Sequence, residues 1–97
     1  MKKNEIFIWV ERREKYSRLL FIIRKGMITP DTHKPLLEAT NEYAKEIRKK
    51  YGRTAYTQCQ RGTITPHFLE FFCMNGDERK RIDSIMKVLS EKASKEG

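Results

Sequence analysis

Two dense apolar runs near the start of the chain limit most strongly what it can become. Ile6-Phe7-Ile8-Trp9-Val10 and Leu19-Leu20-Phe21-Ile22-Ile23 are separated by a stretch led by Arg12-Arg13-Glu14-Lys15. Both are rich in β-branched and aromatic types, which predicts strands over residues 5–11 and 16–25. A hairpin is the simplest connection, although no Asn-Gly pair dictates its turn type.

Gly26 ends the second run, and residues 27–32 lead into a helix. In it Leu36, Ala39, Tyr43, Ala44, Ile47 and Tyr51 recur at helical spacing. Asp31 or Thr32 is expected to cap it, Pro35 is tolerated in a first turn, and Gly52 stops it. Propensity predicts a third strand over Thr54–Arg61 and a fourth over Pro66–Met74, with Gly62 in the turn region between them. Asn75-Gly76-Asp77 then breaks the chain and opens a second helix, striped by Ile82, Ile85, Met86, Leu89 and Ala93. Residues 95–97 are expected to fray.

The expected order is ββαββα, a single α+β domain over 1–97 built from two ββα units at about 5–52 and 54–94. Two hairpins pair into a four-stranded antiparallel sheet with two helices on one face. Gly26-Met27-Ile28-Thr29-Pro30 is echoed by Gly62-Thr63-Ile64-Thr65-Pro66, a hint of duplication.

Alternation sorts the strand residues onto two faces. The helix side takes Ile6, Ile8, Val10, Leu19, Phe21, Ile23, Ala55, Thr57, Cys59, Leu69, Phe71 and Cys73. The other takes Phe7, Trp9, Glu11, Arg13, Arg18, Leu20, Ile22, Arg24, Tyr56, Gln58, Gln60, Phe68, Glu70 and Phe72. A freely solvated face rarely gathers so many large apolar groups. Three readings stand open. The face binds nucleic acid; it is a protein interface, such as a homodimer seam; or a one-residue slip has sent core residues outward.

Charge favours the first. Lys and Arg number 21 against 13 Asp and Glu, a net +8. Arg12, Arg13, Lys15 and Arg18 crowd the first turn. Arg48, Lys49, Lys50 and Arg53 crowd the end of the first helix, where cations suit the helix dipole. Arg79, Lys80 and Arg81 open the second helix against its dipole, and a bound phosphate would reverse that sign. The expected nucleic-acid contacts are Trp9, Arg12, Arg13, Lys15, Arg18, Arg24, Tyr56, Gln58, Gln60, Arg61, Arg79 and Arg81. Cations would meet phosphates, glutamines base edges, and rings stack. Double-stranded DNA ranks slightly ahead of structured RNA, because a twisted sheet lined with Arg and Gln suits a groove.

Catalysis has little support. No phosphate-loop, nucleophile-elbow or zinc-protease motif occurs. Asp31, Glu70, Asp77 and Glu78 are scattered, and Glu70 with His67 is the best pair for a metal-dependent nuclease. Cys59 and Cys73 lack a CxxC spacing, and with His33 and His67 they lack tight ligand pairs. They read as small buried hydrophobes with free thiols. No metal or cofactor is expected. No run approaches the ~18–20 apolar residues of a membrane span, and no secretory signal is visible, so an intracellular protein, cytoplasmic or nucleoid-associated, is expected.

From residue 5 to residue 90 the succession of elements resembles the core of the LAGLIDADG homing endonucleases. In that family two β-hairpins form a saddle on DNA, with helices packed behind, in αββαββ order. The resemblance implies a sheet face turned toward DNA. No counterpart of the family's first helix, source of its dimer seam and metal-binding acid, is expected before Glu5, so no catalytic residue carries over. The expected function is a non-catalytic nucleic-acid binder, regulatory or architectural. The alternatives are an inhibitor or adaptor module with an acidic partner, and a nuclease related in fold to that family.

Overall fold

Leu19, Phe21 and Ile23 are buried, as are Leu69, Phe71 and Cys73, while the residues between them are not. Two strands therefore alternate in the sense the apolar pattern requires. The computed structural model describes residues 6–96, with side chains to Ser90. Its elements are β1 (Phe7–Arg12), β2 (Tyr16–Ile22), α1 (Pro30–Tyr51), α2 (Arg53–Gln60), β3 (Gly62–Ile64), β4 (Phe68–Met74) and α3 (Glu78–Glu96). The strands form one antiparallel sheet in the order β1-β2-β4-β3, an α+β fold that keeps the ββαββα order when α1 and α2 are taken as one helical segment. The helix layer and the inner sheet face share one core, to which Leu36, Tyr43, Ala44, Ile47, Ala55, Cys59, Ile85 and Leu89 contribute from the helices.

One element differs from expectation. Residues 53–60 are a helix, so three helices cover the sheet and the third strand is only Gly62–Ile64. Ala55 and Cys59, one helical turn apart, are 4% and 0% exposed, whereas Thr57 between them is exposed. A strand would have needed all three inside. β-propensity reports mostly on packing against a sheet, and here the packing surface is α1 and β4. Gly52 makes the break: its φ of +99 is open to glycine, and its N–H still donates to the Arg48 carbonyl at 2.9 Å. α1 ends there, and α2 starts in a new direction.

The other boundaries follow local chemistry. Thr29, not Asp31 or Thr32, is the N-cap of α1, with Pro30 at the first helical position. Thr32 helps from inside, its Oγ1 accepting the Thr29 N–H at 2.9 Å. The turn between β3 and β4 lies at residues 65–67, where Thr65 Oγ1 accepts the N–H groups of His67 and Phe68 at 3.2 and 2.9 Å. Gly62 instead lies in β3, pressed on β4: a Cβ there would meet the Phe71 ring and the Glu70 carbonyl at 3.1 Å. In α3, Ile85 and Leu89 are buried and Ile82 and Met86 partly so. Ala93 and residues 95–97 lie outside the described side chains. The echoed segments meet, since Ile28-Thr29-Pro30 and Ile64-Thr65-Pro66 line one open groove of about 530 Å³. Among the described residues no helix is long and apolar enough to cross a membrane.

Candidate nucleic-acid interface

Strand pairing arranges the outer face as a grid. Phe7 lies beside Ile22 and Ile22 beside Phe68; Trp9 lies beside Leu20, then Glu70, then Thr63; Glu11 lies beside Arg18, then Phe72. Among the described residues no helix covers this side. Phe7 and Trp9 are 70% and 66% exposed, while Leu20, Phe68 and Phe72 are half-buried against their neighbours. The alternation of burial in β2 and β4 removes the reading in which the register slips by one.

Arg18, expected on phosphates, is already engaged. Its Nε donates to Glu70 and its Nη1 to Glu11 Oε1 at 3.4 Å. Arg13 Nη2 donates to the same Glu11 oxygen at 2.9 Å, and Thr63 Oγ1 donates to Glu70 Oε1 at 3.2 Å. The hydrogen bond and charge of Arg13 hold the Glu11 carboxyl below its ordinary range, and the bond to Glu70 raises the Arg18 pKa. The centre of the face is therefore close to neutral, and Arg12, Arg13 and Lys15 lie beyond it at the β1–β2 turn, Arg13 paired with Glu11.

Those cations sit at a turn held from outside. Asn75 Nδ2 donates to the carbonyls of Arg13 and Glu14, both at 2.9 Å, and its N–H donates to the Lys15 carbonyl at 3.1 Å. Its Oδ1 lies 2.9 Å from Ser17 Oγ, which also donates to Glu78 Oε2 at 2.6 Å. This hydroxyl, with the Gly76 N–H, keeps the Glu78 carboxyl ionised below the usual range. Arg12 approaches the same carboxylate at 3.9 Å, leaving its side chain 63% exposed. Arg12, Arg13 and Lys15 thus lie at one end of the sheet, Arg12 turned to the helix side by Glu78 and Arg13 to the outer side by Glu11. Nothing in the spacing of Asn75 signalled its part as the clamp, because its partners lie some sixty positions away.

The remaining expected residues divide. Arg61 joins the face, its guanidinium 5.7 Å from the Phe72 ring centre. Arg24 is exposed past the end of β2. Tyr56, Gln58 and Gln60 do not share the sheet face, because they belong to α2. Arg48 stacks on Tyr56 at 5.3 Å, Gln60 Nε2 donates to the Tyr56 hydroxyl at 3.2 Å, and Gln58 faces Arg61. Arg79 is exposed, with Asp83 at 3.9 Å. Arg81 is a correction: it is 1% exposed and cannot meet a phosphate where it stands. Its position four and eight residues before Ile85 and Leu89 puts it on the buried stripe of α3, a spacing the sequence carried.

Glu70, of the pair expected for a nuclease, is held by Arg18 and Thr63. Among the described residues no three of His, Cys, Asp and Glu converge as a metal site requires. Cys59 and Cys73 are free and buried. Comparison with protein-family models, curated proteins and solved structures returned no match.

Proposed function

We propose that the protein is a non-catalytic nucleic-acid binder whose outer sheet face takes unpaired bases. Bases stack on Trp9 and Phe7, and phosphates run toward Arg13 and Lys15 at the β1–β2 turn and toward Arg61 across the sheet, near Phe72. The observation that carries this reading is Trp9, 66% exposed on an open face with a cationic turn close by. Duplex DNA is less well served than the composition suggested. The glutamines that would read base edges are on α2, and the central arginine is neutralised by Glu70 and Glu11.

Trp9 is the only tryptophan, so its fluorescence reports this site. Single-stranded RNA or DNA should quench it, and Trp9→Ala should weaken binding by about 1–3 kcal/mol without unfolding the protein. With about four phosphates engaged, log K against log salt should fall with a slope of roughly −3. Equal affinity for a duplex of the same length would favour groove binding. A flat salt response would overturn the reading and leave a protein-interaction module.

A further inference from the structure

The two edges of the sheet are unlike. β3 is three residues long, begins at Gly62 and is followed by Thr65-Pro66, so it offers little to a passing strand. β1 has no such protection. Its first four residues carry no charge, no proline and no bulge, and they are apolar on both faces. Phe7 and Trp9 point to the outer side. Ile8 and Val10, on the helix side, lie beyond the helix layer and are 37% and 44% exposed.

Among the described residues the backbone is open as well. The Arg13 N–H donates to the Tyr16 carbonyl at 2.9 Å, which makes that pair a hydrogen-bonded one. By alternation, the Glu11, Trp9 and Phe7 backbones also bond to β2. The N–H and C=O groups of Ile8, Val10 and Arg12 therefore face outward. A nucleic acid or a single helix could cover one face of β1. Only another strand, with its own sheet, covers both and satisfies the backbone too.

We infer that the strand is β1 of a second copy, paired antiparallel about Ile8 into one sheet of twice four strands. The apolar segment is self-complementary about that residue: Ile6 meets Val10 of the other copy, Phe7 meets Trp9, and Ile8 meets Ile8. The outward backbone groups of Ile8 and Val10 are those such a register uses. A register about Trp9 would set Phe7 against Glu11, and one about Val10 would set Ile8 against Arg12. At about 150–250 Å² per aromatic side chain, Phe7 and Trp9 leave on the order of 300 Å² open per copy. Pairing would cover the seam-side flanks of these rings together with Ile8, Val10 and the edge backbone. The shared face would keep its rings outward, as one aromatic strip across the symmetry axis. The inference stands apart from nucleic-acid binding.

Sedimentation of the protein alone, across a hundredfold concentration range, should show a monomer–dimer equilibrium. Because the seam is uncharged and the chain carries +8, added salt should strengthen or leave unchanged the dimer, opposite to its effect on nucleic-acid affinity. Ile8→Pro removes an outward N–H at no cost to the β1–β2 ladder and should weaken the dimer at least tenfold. Val10→Lys should do the same and guards against misfolding of the proline variant. Ile8→Cys should cross-link two copies, whereas Phe7→Cys should not, and the buried native thiols stay silent. A monomer throughout, a dimer indifferent to both edge variants, or cross-linking at position 7 instead of 8 would overturn the inference.

Discussion

Arg81 is the residue whose surroundings least suit it. Its guanidinium is 1% exposed, Nη2 donates to Thr40 Oγ1 at 3.2 Å, and Nε and Nη1 have no hydrogen-bond partner among the described residues. Tyr43 and Phe71 flank it, with ring centres at 4.8 and 5.6 Å. A cation between two rings gains up to about 2 kcal/mol, but a charge taken from water without a carboxylate loses several. Burial accordingly lowers its pKa. Arg81→Met keeps the volume and the ring contacts while removing the charge. It should leave stability unchanged or raise it by about 1–4 kcal/mol in urea unfolding. A loss above about 1 kcal/mol would show that the guanidinium is better compensated than its contacts indicate.

At the level of elements, two connections decide how the molecule presents itself. The first is the β1–β2 turn, which has no strong turn residues of its own and is held by Asn75 from the end of β4. Asn75→Ala should cost about 0.5–1.5 kcal/mol, since the exposed Arg13 and Glu14 carbonyls exchange its side-chain amide for water. Faster amide exchange across residues 13–16, with the core of β4 unchanged, would locate the loss in the turn. The second is α2. Thr57 is exposed on that helix, so Thr57→Ala should raise stability by up to about 0.7 kcal/mol through helix propensity alone. In a strand the same change would lower it, so a drop in the thermal midpoint would contradict the helix.

For the whole molecule, pH sets two limits. Glu78, held by Ser17, and Glu46, held by Lys80, titrate below their ordinary 4.5, so their contribution is complete above that value and lost as pH falls through the lowered pKa. Glu46 is half-exposed and adds little, whereas the Glu78 side chain is only 18% exposed, so the acid limb should come mainly from Glu78. The alkaline limb has a buried origin. Burial pushes the Cys59 and Cys73 thiols from 9.0 to about 11 and about 12, so their stabilising share is intact below pH 9 and declines between pH 9 and pH 12. Midpoints measured over that range should fall, less steeply in Cys59→Ala/Cys73→Ala, and an Ellman assay at pH 8 should find both thiols unreactive until the protein unfolds. The apolar runs of residues 6–23 and 68–74, and the stripes of α1 and α3, were enough by themselves to determine β1, β2, β4, these two helices and which side chains of β2 and β4 face the helices. Local periodicity carries that information because a side chain's direction follows from its place in a strand or helix. The fate of residues 54–60 was not legible, since Ala55, Thr57 and Cys59 satisfy either period and only the packing surface offered by α1 and β4 selects the helix. The site divides the same way. The rings of Phe7 and Trp9 on an outer face could be read from alternation, but the pairing of Arg18 with Glu70, the Asn75 clamp and the withdrawal of Tyr56, Gln58 and Gln60 needed chain segments distant in sequence to meet. Such contacts depend on the relative placement of whole elements, which a one-dimensional pattern does not encode and the closing of a shared core does.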